Sequence, residues 1–391
     1  MPGTRSPVSA GDEPPIPAPV PGDGPTRFDA AWVTAALGLG LALFWIRQWQ
    51  VAGTPSFSSF PLDDTWIHLH FARNLAEGGG FAYNAGVPVA GSTAPLWTLT
   101  LAAGFALLGA HPEWAKVLGI AAALSTALVA ARLAGRWTGD RRLGLLAGVV
   151  TAVAGPLLWG ALSGMEVSLA ALLVTAGLLA HTDGHDHRAA LLLGLATLAR
   201  PEAVLLIPLV WMAGPITPRR TAAFAAITAA CLGPWALFNL ATVGTPLPAT
   251  ASAKIEGGLI GFLSGSRQSV RWTFLDTPGR FALEWIDWLR GVNVLLPVLI
   301  PLGLWLLWRR RGRALAAPAG VLLVHPIGMA LLAPYRGPGF QEGRYSIHLV
   351  PLAIAVAVAG LAGLPRGPRL RALAASVFLL ASLASLPPAA S

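Results

Sequence analysis

Two adjacent carboxylates, Asp63 and Asp64, open a stretch from Pro61 to Leu75 in which Trp66, His68, His70 and Arg73 follow within eleven positions. An acid at the mouth of a helix can take a proton from a hydroxyl, and a second acid beside it can orient the first. The same two residues suit a helix N-cap equally well, and both readings stand at this point. His68 and His70 are two apart, so on a helix they point to different faces and a metal shared between them is not expected. Further along, Glu166 and Glu202 lie between apolar segments, where an acid is costly and often functional. The bland alternatives are that Glu202 pairs with Arg200 and that Glu166 is solvated. Lys254, Arg344 and Arg200, with Arg267 and Arg271 behind them, are cations that suit an anionic phosphate. Each could instead snorkel to a membrane surface. His181, Asp183, His185, Asp186 and His187 are ligand-like in type, but their spacing is not that of a metal site, and they read as a solvated turn.

Helices must carry these groups. Ile67, Phe71 and Leu75 recur at i, i+4, i+8 and predict an amphipathic helix from the acid pair onward. Gly78, Gly79 and Gly80 should end it. A second short helix is predicted from about Pro95, after Val89-Ala90-Gly91-Ser92-Thr93.

The composition places those helices at a membrane. Of 391 residues, 54% are hydrophobic, only 12% are charged, and 44 are glycine; a soluble domain has about 25% charged residues. The mean hydropathy is +0.62. These values exclude a water-soluble enzyme, a disordered chain and, with the single Cys231, a disulfide scaffold. The net charge of +9 points to cytoplasmic loops rather than to nucleic acid. Residues 1–28 are rich in proline and charge and read as a disordered cytoplasmic tail. Residues 29–391 read as one membrane domain, without a soluble C-terminal domain.

Apolar stretches of about 20 residues mark spans. They fall at Ala30–Trp49, 115–135, 143–161, 165–181, 189–213, 221–241, 292–308, 314–333, 345–364 and 372–387. Arginine clusters at Arg132–Arg142, Arg219–Arg220, Arg309–Arg313 and Arg366–Arg371 should all be cytoplasmic. That parity holds if 94–110 lies along the outer interface and if 189–213 is two short helices turning at Arg200-Pro201-Glu202. The expectation is an all-α polytopic bundle of about eleven spans, N-terminus inside, in a bacterial plasma membrane. Outer loops are then expected at 50–112 and 242–290. In the second, Phe281, Trp285, Trp288, Leu289 and Val292 share one face, opposite Arg280, Glu284, Asp287 and Arg290, the pattern of an interfacial helix.

The order of residues 63–97, from the acid pair through Ala72-Arg73-Asn74-Leu75, Phe81, Tyr83-Asn84 and Pro88-Val89 to Pro95-Leu96-Trp97, resembles the first outer loop of GT-C glycosyltransferases. Within that superfamily it is most similar to the bacterial branch that contains the mycobacterial terminal arabinofuranosyltransferase. Ser163-Gly164-Met165-Glu166, Leu198-Ala199-Arg200-Pro201-Glu202, Gly244-Thr245-Pro246-Leu247-Pro248 and Gly343-Arg344-Tyr345 agree with it. The resemblance implies juxtamembrane helices in the first outer loop. It also implies a polyprenyl-phosphate sugar donor and an envelope glycan or glycolipid acceptor on the outer side. Asp63 is then the general base with Asp64 beside it, and Lys254, Arg344 and Arg200 hold the donor phosphate. His68, Tyr83, Asn84, Glu166 and Glu202 become candidate substrate contacts. The resemblance fixes no cofactor and leaves a divalent cation open, since some members of the superfamily use one. The competing classes are a lipid or sugar flippase, which would favour mid-membrane charges and internal repeats, and a non-catalytic membrane partner of another transferase.

Overall fold

Proline and glycine divide the apolar runs into helices of very unequal length. The computed structural model describes residues 26–52, 57–248, 263, 276–332, 344–364 and 367–384. In chain order the helices are α1 (Arg27–Ala52), α2 (Asp63–Ala76), α3 (Pro95–Leu108), α4 (Trp114–Thr138), α5 (Arg141–Ala152), α6 (Gly155–Leu162), α7 (Val167–Thr182), α8 (Asp186–Ala199), α9 (Leu206–Ala213), α10 (Pro218–Val243), α11 (Asp276–Val292), α12 (Leu296–Arg311), α13 (Arg313–Ala319), α14 (Val321–Leu332), α15 (Val350–Leu361) and α16 (Pro368–Ala384). Short 3₁₀ turns precede α9 at Pro201–Leu205 and α15 at Arg344–Leu349. Among the described residues there is no strand, only an isolated bridge between Ala82 and Pro88.

Among the described residues, four continuous stretches are long and apolar enough to cross a membrane: Arg27–Gln50, Trp114–Thr138, Pro218–Val243 and Arg313–Leu331. Two bent pairs qualify as broken spans, α5 with α6 at 52° and α11 with α12 at 102°. Val167–Thr182, Pro201–Ala213 and Tyr345–Leu361 are shorter apolar helices. The expected ranges are largely helical, but among the described residues four segments, or six with the bent pairs, have the length and apolarity of a span, fewer than the eleven expected. Gly155-Pro156 explains one break, since the proline starts a new helix and cannot continue the old one. The predicted turn at Arg200-Pro201-Glu202 is a second: α8 stops at Ala199 and Arg200 is extended. α3 has 14 residues, about 21 Å at 1.5 Å per residue, short of the roughly 30 Å hydrocarbon core.

α15 is the centre of the bundle, with every residue from Val350 to Leu361 buried. Small residues let it approach α12. A methyl group on Gly303 would collide with the Val356 carbonyl oxygen, and one on Gly360 would lie 2.8 Å from Leu299 O. Close backbone contact of this kind replaces the hydrophobic drive that apolar surroundings remove. Local capping follows the sequence at two starts: Asp140 accepts from Arg142 N and Leu143 N, and Thr217 accepts from Arg220 N ahead of Pro218.

α11 has the predicted two faces, but its apolar side is not turned to lipid. Phe281, Trp285, Leu289 and Val292 are buried, and Trp285 Nε1 donates to Leu322 O at 2.7 Å. The bundle consumes that face, while Leu283 and Ile286 stay exposed among the charges. The tryptophans divide in the same way: Trp32, Trp49, Trp66, Trp305 and Trp308 are exposed, whereas Trp97, Trp137 and Trp285 are core residues.

Candidate active site

The acid pair begins α2, as expected, and the helix ends ahead of Gly78 and Gly80, both at positive φ. The N-cap residue is Leu62, and no side chain caps the helix start. Neither Asp63 nor Asp64 is therefore spent on the simple capping role. Asp63 is exposed and Asp64 half-buried. The buried face of α2 is Thr65, His68, Leu69, Phe71, Ala72 and Asn74. It lies to one side of the predicted Ile67–Phe71–Leu75 stripe, because hydrogen-bonded polar groups join the apolar ones.

Two ties hold α2 and α3 to the turn between α6 and α7. Thr65 Oγ1 donates to Ser163 O at 2.8 Å, and Trp97 Nε1 donates to Gly164 O at 3.0 Å. Gly164 has φ +75°, and a Cβ there would meet Thr65 Cγ2 at 2.5 Å and the Phe60 ring at 2.6 Å. Glycine is needed for both the backbone angle and the close approach. The Ser163–Glu166 motif is thus a grip on the first loop. Lys116 holds the segment before α2: its Nζ donates to Ser59 O at 2.7 Å and sits over the rings of Phe57 and Phe60.

Behind the grip lies a buried polar cluster. Glu166 is 5% exposed, against the bland alternative of a solvated acid, and Arg200 is 3% exposed. Arg200 Nη1 donates to Glu166 Oε1 at 2.6 Å and Nε to Glu202 Oε2 at 3.4 Å. The pairing of Arg200 with Glu202 was legible in the sequence; the stronger one with Glu166 was not. The Arg200 guanidinium also lies 5.1 Å from the centre of the Tyr345 ring. From the other side His68 brings Nε2 to 3.6 Å from Glu166 Oε2, and that oxygen has no hydrogen bond. His68 Nδ1 lies 3.3 Å from Ser92 Oγ and 3.4 Å from Thr98 Oγ1. Burial holds the imidazole below its ordinary pKa, against the opposite pull of Glu166 and Asp64 and with that of Arg200.

His70 faces elsewhere, against the Tyr83 ring at 4.7 Å and Arg73 Nη2 at 3.3 Å. Tyr83 and Asn84 are exposed on a loop that Asn74 clamps by donating to Ala82 O and Tyr83 O. Lys254, Arg267 and Arg271 lie outside the described residues. Arg344 begins the 3₁₀ turn before α15, and its side chain lies outside them as well. Sequence reasoning missed Thr65, Ser92, Thr98, Tyr345 and the buried His325 and His348, whose rings are 5.9 Å apart. Nothing in the composition of the Ser92-Thr93 connection marks it as half of a histidine's environment. Among the described residues, no group of three or more His, Cys, Asp or Glu could hold a metal ion.

Neither a protein-family model nor a curated protein matches the chain. Solved structures do. ArnT from Cupriavidus metallidurans bound to undecaprenyl phosphate superposes with a TM-score of 0.58 at 14% identity, over 89% of this chain and 63% of ArnT. The apo state of the same protein gives 0.57 at 16% identity, over 87% and 61%. The chain therefore spans less than two thirds of the length of ArnT. These two neighbours carry the bundle, not the arabinofuranosyltransferase branch. On the helices, the absence of strands among the described residues and this likeness, the chain folds as an all-α polytopic membrane bundle of the type seen in ArnT.

Proposed function

We propose that the protein is an integral-membrane glycosyltransferase that takes a sugar from a polyprenyl-phosphate donor and places it on an envelope glycan or glycolipid at the outer face of the membrane. The observation that carries this reading is the acid pair at the start of α2, not used as a helix cap, on a helix whose Thr65 and His68 meet the Ser163–Glu166 turn beside Arg200. The likeness to a bundle crystallised with undecaprenyl phosphate supports the class of lipid carrier. The donor is already activated, since phosphate is a good leaving group. Asp63, the exposed acid, takes the proton of the acceptor hydroxyl as its oxygen attacks the anomeric carbon. The bond from that carbon to the phosphate oxygen breaks, and polyprenyl phosphate departs with the electron pair. One base and one displacement give inversion. Asp64 orients its neighbour.

Arg200 is already engaged by two carboxylates, so Lys254 and Arg344 are the better cations for the departing phosphate. Tyr83, Asn84 and Glu202 remain the proposed substrate contacts. Arabinofuranose as the transferred sugar, and cell-wall arabinan as its destination, rest on the sequence resemblance alone.

The test uses purified protein in liposomes with a panel of radiolabelled polyprenyl-phosphate sugars and an envelope glycolipid extract. Label entering the acceptor with wild type and not with Asp63→Asn supports the reaction and its base. Movement of intact donor across the bilayer without transfer would make the protein a flippase.

A further inference from the structure

Four segments of the chain meet at one imidazole, and a fifth joins them through Glu166. His68 belongs to α2, Ser92 to the loop before α3, Thr98 to α3, Glu166 to the turn before α7, and Arg200 to the end of α8. The ring is 3% exposed, and Ser92 and Thr98 are 1% and 0% exposed. No acceptor or donor sugar can lie against a group so enclosed. The two hydroxyls are 3.0 Å apart, and Ser92 Oγ also accepts from Ala94 N at 3.3 Å, which fixes the start of α3. One helical turn before His68 on the same side is Asp64, and residues four apart on a helix are neighbours.

We propose that His68 is a positioning residue, tying α2, which carries the acid pair, to the Glu166–Arg200 pair through Nε2 and to the Ser92 and Thr98 hydroxyls through Nδ1. This rests on the acid pair being the reacting machinery described above. The neighbours assign the tautomer. Nε2 faces a carboxylate, so it carries the proton and directs it at Glu166 Oε2. Nδ1 faces two hydroxyls, so it is the acceptor. That oxygen of Glu166 is the one left without a hydrogen bond, and a small rotation closes the 3.6 Å gap. Once it closes, both Glu166 oxygens are engaged, one from α2 and one from Arg200. The carboxylate then fixes how far the exposed acid stands from the arginine wall. A 1 Å error in such a distance can cost about 100-fold in rate.

The experiment uses the full chain in lipid nanodiscs, with His68→Ala and His68→Gln. The glutamine amide can reach Glu166 and still accept from a hydroxyl. The expected result is a fall in kcat of about 10- to 100-fold for His68→Ala, with undecaprenyl phosphate binding unchanged and much of the rate restored in His68→Gln. A rise in KM at unchanged kcat would make His68 a ligand contact and overturn the proposal, as would a glutamine variant no better than alanine. A second readout needs no activity. With ¹⁵N-labelled histidine, the His68 ring should show the Nε2–H form, and its Nε2 signal should move on Glu166→Gln. An Nδ1–H ring indifferent to that change overturns the assignment. If wild type transfers no sugar while this coupling is present, the glycosyltransferase reading fails and the positioning contact stands.

Discussion

α7 and α8 form a hairpin with a histidine, a carboxylate and an arginine at each end. At one end are His68, Glu166 and Arg200; at the other are His181, Asp186 and Arg220. Even the histidine–carboxylate distance is the same, 3.6 Å in both. The 16 residues of α7 separate the clusters by about 24 Å. What differs is where the remaining hydrogen bonds go. Arg220 gives donors to Val210 O at 3.0 Å and to Trp211 O, closing the end of α9, and lies over Phe224. His181 Nε2 bonds to Ala314 O at 2.8 Å, and Arg136 pairs with Asp183 at 3.2 Å. This end ties helices together, and the turn that the sequence left as solvated is a structural knot. At the α2 end the arginine bonds to two carboxylates and, among the described residues, to no backbone carbonyl, the unpartnered atom is a carboxylate oxygen rather than the imidazole Nδ1 left at the other end, and the helix that brings in His68 begins with an exposed acid, Asp63. The same three residue types make a strut in one place and a candidate site in the other. Burial and the disposition of spare donors and acceptors decide which.

That contrast breaks most sharply at Asp63. Asp63→Asn should lower transfer about 10²- to 10⁴-fold with the fold intact, whereas Asp183→Asn, at the opposite end, should leave transfer unaltered. Initial rates on the two variants check this, and equal losses would erase the distinction. Next comes Arg200→Ala. It strands Glu166 as an uncompensated buried charge, and losing one partner of such a pair costs about 3–5 kcal/mol. Thermal unfolding in detergent should show the drop, and Glu166→Gln in the same chain should recover part of it.

A third expectation concerns the grip. Gly164→Ala forces a side chain into φ +75° and against Thr65, a strain of about 1–3 kcal/mol. Transfer should fall along with the thermal midpoint, since the acid pair shifts; an unchanged rate would show that α2 is positioned by other contacts. The smallest effect belongs to the strut. Burial alone would raise the Asp186 pKa, but the nearby His181 ring and the hydrogen-bonded Arg220 guanidinium outweigh it and bring the carboxyl from 3.8 down to about 2. Its folded pKa is depressed, so its stabilising contribution is fully present above pH 3.8 and is lost as pH falls through about 2. Asp186→Asn should cost about 1 kcal/mol or less, leave transfer intact, and flatten that acid limb in melting curves recorded against pH.

Much of the framework was legible in the chain itself. The start of α2 at the acid pair, its glycine stop, the start of α3 at Pro95 and the break at Arg200-Pro201-Glu202 are all local decisions. They are set by backbone preferences within a few residues, so local sequence reveals them. Membrane residence was equally legible, because it depends on composition and the length of apolar runs.

The site was legible only in part. Asp63, Asp64, His68, Glu166 and Arg200 all drew attention, but as separate candidates with separate roles. Only the tertiary structure joined residues 34 positions apart into the Glu166–Arg200 pair and buried His68 between two hydroxyls on one side and that pair on the other. The partner of a buried charge depends on which helices pack together, and packing is a sum over the whole bundle rather than a property of any one segment. For the same reason the apolar face of α11 looked ready for lipid yet lies on α14: amphipathicity specifies that a face must be covered, while the fold specifies by what.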